Sequence, residues 1–388
     1  MGPGDILQYA LIVALGVVVA RFYSRPTPVY PTSTIYQMFL ANPMHNGTDA
    51  EGMVAIVTGS TSGIGKRIAV ELFRYGATVV IASRNRQKSL DTMEEIKSTY
   101  PGSKGSLVFE QLDTSDMVSV RDFSYRVKER FEGVDFLVNN AGIHYASSTN
   151  QPLFNMSASV VSAQGYDLAF ATNYLGHFLL THLLLPNLRL RVVNIASIFH
   201  FQGDSSSLDP AGGTPRAALG HERGFEHRLQ AYGVSKLAQV LHSSELQRRL
   251  APGLRVVSVC PGWVKTSLLS EDLPGWLLGL NTFTPTQGIL SPMVGLFDPS
   301  LRGGEFLTNA ITPLSRWPWF DRLLRTSSQW GMRDAVGFLV ALSSNILQGF
   351  SYGHRVHRPS PEARNATLAA ALYDWSLEEL QRGGFAPV

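Results

Sequence analysis

The sequence predicts an α/β fold: a single doubly wound domain with a parallel sheet of about seven strands and helices on both faces, preceded by an N-terminal membrane helix. Three observations predict it. Beyond Gly52, short β-branched runs alternate with helix-length segments, the pattern of a parallel sheet covered on both sides. The first of those runs opens directly into a glycine-rich turn. In front of the alternating region lies an apolar run that is almost free of charge.

The strand candidates are Met53–Thr58, Thr78–Ala82, Ser106–Glu110, Val134–Val138, Arg191–Ile195, Leu254–Val259 and Glu305–Leu307. Several are dense in Val and Ile, which suit a pleated surface buried on both faces. Between them, Ile64–Tyr75, Lys88–Thr99, Asp116–Arg130, Tyr166–Leu185 and Tyr232–Leu250 read as helices. Two stretches break the rhythm, Ile143–Gln164 and the Gly/Ser/Pro-rich Phe201–Leu229. Both are expected to be surface insertions, the second poorly ordered at its centre. No internal repeat is visible.

The head of the chain is different in kind. Asp5, Arg21, Arg25, Asp49 and Glu51 are the only charged side chains up to Gly52. From Ile6 to Tyr23 the strongly polar residues are Gln8 and Arg21. As a helix this run reaches roughly 27 Å at about 1.5 Å per residue, close to a ~30 Å hydrocarbon core. A cleaved leader ending near Ala20, a buried core helix and an uncleaved anchor all fit its length. A leader would want positive charge before the apolar run, yet Asp5 precedes it and Arg21 and Arg25 follow, which favours the anchor. Arginines on that side place the rest of the chain in the cytoplasm. Pro26, Pro28, Pro31 and Pro43 mark an extended linker. The expected division is therefore an anchor over 1–23, a linker over 24–51 and one domain over 52–388, with insertions near 143–164 and 201–229.

Composition narrows the function. The chain has 388 residues, 44% hydrophobic and 16% charged, with 33 basic against 30 acidic side chains. That is too apolar for a disordered protein, and a net charge of +3 gives no support to a nucleic-acid partner. The single cysteine, Cys260, excludes an intrachain disulfide and a Cys-based metal cluster.

The turn after the first strand reads Thr58-Gly59-Ser60-Thr61-Ser62-Gly63-Ile64-Gly65. Small residues let the backbone approach a pyrophosphate, and the helix that follows offers free N–H groups at its positive end. An acidic residue at the end of the second strand would select NAD. Ser83 stands there instead, followed by Arg84. A hydroxyl and a guanidinium suit a 2′-phosphate and hence NADP(H) over NAD(H); a solvated loop arginine is the plainer alternative. Asp113, after the third strand, suits either a helix cap or an adenine contact.

Tyr232-Gly233-Val234-Ser235-Lys236 sets a phenol and an ammonium on one face of a helix. The ammonium is expected to lower the phenol's pKa and make it a usable general acid or base. Ser197 follows the fifth strand, where its hydroxyl can bond a substrate oxygen, and Asn173 can hold a water chain leading to Lys236. Asn140-Ala141-Gly142 follows the fourth strand and Pro261-Gly262-Trp263-Val264-Lys265-Thr266 the sixth. These motifs all fall at the carboxyl ends of strands, where α/β sheets bind ligands, or on the adjoining helices.

In order and spacing the motifs TGxxxGIG, NNAG, Asn, Ser, YxxxK and PG resemble the short-chain dehydrogenase/reductase family over roughly residues 53–310. The resemblance implies a Rossmann-like fold and an oxidoreductase with Asn173, Ser197, Tyr232 and Lys236 as its proton-transfer tetrad. It implies cofactor contacts from Thr58, Gly59, Ser62, Gly63, Ile64, Gly65, Ser83, Arg84, Asp113, Asn140, Ala141, Gly142, Tyr232, Lys236, Pro261, Gly262, Val264 and Thr266. Hydride would pass between nicotinamide and a carbinol or carbonyl carbon. Asn173-x-Leu175-Gly176-His177-Phe178, Arg84 and Leu372-Tyr373-Asp374-Trp375-Ser376 are similar to the retinol dehydrogenase-like, membrane-bound branch. That branch implies a retinoid, steroid or other lipid-like substrate and the endoplasmic reticulum or another internal membrane, and leaves a homodimer open. The Ser197–Tyr232 spacing is longer than that branch leads one to expect. A non-catalytic NADP-binding membrane protein is the alternative, weakened by the presence of all four tetrad residues.

No metal is expected: His221 and His227 are six apart rather than four, so they would not share a helical face. His177 is expected to pack or to bond on the cofactor side. Asn46, Asn155 and Asn365 match a glycosylation pattern that a cytoplasmic domain would leave unmodified. The aromatic-rich Leu314–Phe350 suits a lid, a membrane contact or a core helix.

Overall fold

The computed structural model describes residues 50–144, 161–219, 228–266, 283–309 and 355–386. The expected anchor, the expected linker up to Asp49, His221, His227 and the aromatic Leu314–Phe350 lie outside these residues.

Eight strands form one sheet in the order β3-β2-β1-β4-β5-β6-β7-β8. They are β1 Val54–Thr58, β2 Thr78–Ser83, β3 Ser106–Gln111, β4 Val134–Asn139, β5 Leu188–Ile195, β6 Arg255–Cys260, β7 Phe306–Thr308 and β8 Arg355–His357. β1 to β7 run parallel, as the alternation requires. β8 is the departure: it pairs antiparallel with β7 and adds an edge strand. Three residues give too short a run for a periodicity to register.

The helices are α1 Gly63–Arg74, α2 Arg86–Thr99, α3 Met117–Arg130, α4 Leu168–Asn187, α5 Arg228–Arg249, α6 Leu290–Phe297 and α7 Ala366–Arg382. Alternate residues of each central strand face opposite sides. Ala55, Val57, Val138, Val193 and Val257 meet α1 and α6 through Ile68, Leu72 and Met293. Ile56, Leu137, Val192 and Val256 meet α3, α4 and α5 through Phe123, Phe178 and Leu241. α4 is long and apolar enough to cross a membrane, but it is mostly buried inside the domain and serves as a core helix.

α7 covers α4 and α5 from outside. Leu372 and Trp375 join their core. The Tyr166, Tyr174 and His182 side chains bond Glu379 at 2.9 Å, Ser376 at 2.8 Å and Tyr373 at 2.7 Å. The stretch expected as a loose insertion is also packed where it is described. Phe201, Leu208, Ala217 and Ala218 are buried in the same cluster: Phe201 lies in a 3-10 turn capped by Ser197, Leu208 follows one capped by Asp204, and Ala217 and Ala218 lie in another, Arg216–Ala218. The apolar residues scattered among its Gly, Ser and Pro decide the outcome.

Candidate active site

β1 to β7 end at one edge, with Thr58, Ser83, Asn139, Ile195 and Cys260 as the last residues of their strands. The order reverses between β1 and β4, which leaves a crevice beyond their carboxyl ends.

The glycine turn lines that crevice. Gly63 takes φ +55°, a backbone state that L side chains rarely adopt. A β-carbon on Gly65 would run into the Asn140 amide and lie 2.6 Å from the Gly59 oxygen, so only glycine fits. α1 starts at Gly63 after Ser62, whose side chain makes no cap bond, and its first turn has no acidic residue. α2 and α3 are capped by Asn85 and Asp116. The cap that Asp113 was expected to offer thus comes from Asp116; Asp113 instead accepts from Ser115 N at 2.9 Å and Ser115 Oγ at 2.6 Å.

Thr58 ties the turn to the next strand end. Its Oγ accepts from the amides of Asn140 at 2.9 Å and Ala141 at 2.8 Å. Asn140 returns its side-chain amide to the Thr58 carbonyl at 2.8 Å. At the end of β2, Arg84 is exposed while the Ser83 hydroxyl turns inward onto Ser89 Oγ at 2.6 Å. Among the described residues the guanidinium has no bonded partner, while the Ser83 hydroxyl is engaged.

The proton-handling residues meet at the same edge. Tyr232 is buried, and the Ser197 hydroxyl is close enough to influence its phenol. Lys236 Nζ lies 5.5 Å from the Tyr232 ring centre and donates to Ile195 O at 2.8 Å and Gln239 Oε1 at 2.9 Å. Burial pushes the Lys236 pKa down to about 7. It pushes the Tyr232 phenol up, and the Ser197 hydroxyl only partly offsets this. The expectation of a lowered phenol pKa is therefore corrected: desolvation of the buried ring is the largest influence and raises it.

Asn173 sits in a π-helical stretch, Ala171–Leu175, inside α4. Such stretches are frequent at functional positions. Its side chain donates to Ile143 O at 3.1 Å and Ser235 Oγ at 2.9 Å, and accepts from Ile143 N at 2.8 Å. A β-carbon on Gly142 would lie 3.3 Å from Asn173 Oδ1 and 3.6 Å from Lys236 Nζ, so this loop runs close over the lysine. His177 is buried and neutral, its pKa pushed down by burial to about 4.

Across the crevice, Thr266 Cγ2 would touch a β-carbon on Gly63 at 3.0 Å, bringing the Pro261–Thr266 loop over the glycine turn. Val264 in that loop bridges to Phe283. Gly262, at φ +82°, donates its amide to Cys260 Sγ at 3.4 Å. Asn309 anchors the loop by donating to Pro261 O at 3.1 Å and accepting from Ser291 N at 2.9 Å. Neither Asn309 nor Gln239 stands out in the sequence, because each acts through a fold contact and belongs to no recognisable motif. The apolar wall was also missed: the His144 and Phe199 rings lie 5.2 and 5.9 Å from that of Tyr232, and Trp263 lies 6.0 Å from Phe199.

A family model described as short chain dehydrogenase matches residues 53–207. Dehydrogenase/reductase SDR family member 13 of Bos taurus is 32% identical over 293 residues, which are 72% of this chain and 69% of that protein. The chain belongs to the short-chain dehydrogenase/reductase family. Retinol dehydrogenase 11 of Homo sapiens is 35% identical over 246 residues, covering 61% of this chain and 70% of that one. Among solved structures, an uncharacterized protein from Mycobacterium Paratuberculosis superposes with a TM-score of 0.60 at 26% identity, covering 87% of this chain and 97% of that one. Short-chain dehydrogenases use nicotinamide cofactors, and the crevice fits one: a close-approach glycine cradle, an uncapped α1 and a buried lysine below Gly142.

Proposed function

We propose that this protein is an NADP(H)-dependent oxidoreductase of a hydrophobic alcohol or carbonyl compound, held at an internal membrane by its N-terminal segment. The observation that carries this reading is Tyr232 set next to Ser197 and near Lys236, and walled by His144, Phe199 and Trp263. The polar groups are few and converge on one point, while the surrounding rings favour an apolar body such as a retinoid, steroid or other lipid.

The cofactor supplies or accepts hydride. Tyr232 moves the proton: its hydroxyl protonates the substrate oxygen in reduction and takes the proton back in oxidation. Ser197, close to that hydroxyl, can hold the substrate oxygen beside it. Lys236 brings positive charge near the phenol and favours its ionised form as it turns over. Asn173 fixes the Ile143 backbone, and through it the loop that crosses above Lys236. Arg84, exposed at the end of β2, is suited to a 2′-phosphate and so to NADP(H).

The test is NADPH oxidation by the full chain in membranes, with a panel of apolar aldehydes and ketones and the Tyr232→Phe variant alongside. Turnover by wild type and its loss in the variant are expected. Tight NADPH binding with no turnover of any apolar carbonyl, and none of the alcohols with NADP, would refute the enzymatic reading.

A further inference from the structure

His177 closes a ring of hydrogen bonds that has one consistent set of proton positions. Its Nδ1 lies 3.1 Å from the main-chain oxygen of Asn173, which can only accept, so Nδ1 carries the proton of the neutral ring. Nε2 is then an acceptor, and it faces Thr58 Oγ at 2.9 Å. The Thr58 oxygen already receives the amides of Asn140 and Ala141, so its own hydrogen is free to go to Nε2. The competing acceptor, Val138 O, is farther away at 3.4 Å. On the opposite side, the Asn173 side chain grips both backbone groups of Ile143. The loop Asn140–Ile143 is therefore fastened at its start to Thr58 and at its end to Asn173, and His177 joins those two anchors.

We propose that His177 is a positioning residue that locks the loop Asn140–Ile143 over Lys236 by bridging Thr58 to the Asn173 carbonyl. The inference rests on the reading of this loop as the ledge for the nicotinamide half of the cofactor. His177 itself touches neither substrate nor cofactor. Both nitrogens are needed: one alone leaves Thr58 or Asn173 without its partner. Glutamine carries its amide about as far out as Nε2 and can keep the Thr58 end of the bridge, whereas asparagine reaches only as far as Nδ1 and can keep only the Asn173 end.

The experiment compares His177→Gln, His177→Asn and His177→Phe in the full chain by two readouts. The first is amide hydrogen exchange of the peptide containing Asn140–Ile143, without any cofactor. The second is NADPH affinity from quenching of tryptophan fluorescence. Phe and Asn should speed exchange and weaken NADPH by about tenfold or more, the scale of a buried polar group left unsatisfied, while Gln, which keeps the Thr58 end, loses less in both. Adding His177→Asn to Thr58→Val should cost little beyond Thr58→Val alone, since that change already removes the hydroxyl that His177 Nε2 accepts from. Exchange in His177→Asn equal to wild type, or Gln no better than Asn, overturns the proposal. Should His177→Phe fail to fold, the Asn–Gln comparison still decides it. If the exchange result holds while wild type binds no nicotinamide nucleotide, the positioning role stands and the proposed function falls.

Discussion

Lys236 donates its Nζ proton to the main-chain oxygen of Ile195 at 2.8 Å, two residues before Ser197. That bond fixes the distance between the helix that carries Tyr232 and the strand end that carries its partner. It also holds an ammonium almost wholly out of water, with Gln239 as its other described hydrogen-bond partner.

Such a lysine is costly to stability, and the cost has a pH window. The pKa falls from 10.5 to about 7 on folding. Between those values the unfolded chain holds the proton and the folded chain does not, so this group makes stability rise with pH across the window and bears fully against folding below it. Lys236→Met is expected to raise the thermal midpoint at pH 6 by a few degrees, and by much less at a pH above 10.5. Turnover should be lost at both. Scanning calorimetry at the two pH values checks the sign.

Removing the acid–base group should separate chemistry from binding. Tyr232→Phe is expected to lower turnover by about a hundred- to ten-thousandfold, the range of general acid–base catalysis. NADPH affinity should stay within about threefold, a change too small to represent a lost charge-assisted bond. Ser197→Ala should lose about ten- to a hundredfold, the worth of one hydrogen bond to a developing charge. Single-turnover rates and fluorescence titration give the two numbers.

Cofactor choice turns on one exposed side chain. Arg84→Ala should weaken NADPH by about tenfold or more and leave NADH nearly unchanged. Parallel titrations with the two nucleotides test this, and equal losses would exclude a 2′-phosphate contact.

Asn309 is a structural pin. Its side chain serves the carbonyls of Pro261, Gln287 and Gly288 and the amide of Ser291 at once. Asn309→Ala should cost about 2 kcal/mol by leaving buried groups unsatisfied, and should weaken the nucleotide because the Pro261–Thr266 loop loses its support. Denaturant unfolding measures the first effect and NADPH titration the second.

What the sequence made legible is what is local. Thr58–Gly65, Asn140–Gly142, Tyr232–Lys236 and Pro261–Thr266 each lie in a short run, and the β-branched strands before three of them gave their place at the sheet edge. Asn309 was not legible, because Pro261 is 48 residues away in sequence and the contact exists only after β6 and β7 pair. Gln239 and His177 lie near the motifs, but their partners Lys236 Nζ and Thr58 Oγ are identified only by helix orientation. The Tyr232 pKa came out with the opposite sign because charge spacing is written in the sequence and desolvation is not. For the same reason, Leu208 and Ala217 looked like loop residues among Gly and Ser until their burial was seen.

The C-terminal α7 sets the order in which this molecule becomes competent. The side chains it bonds on α4 and just before it lie 191 to 213 residues earlier in the sequence. Contacts of such range close slowly, since chain entropy is lost before they form. An intermediate with the sheet assembled and α7 undocked would hold the glycine turn and the tetrad while baring the apolar backs of α4 and α5. Sticky surface would then persist longest on the outer sides of α4 and α5, and aggregation during refolding should begin there.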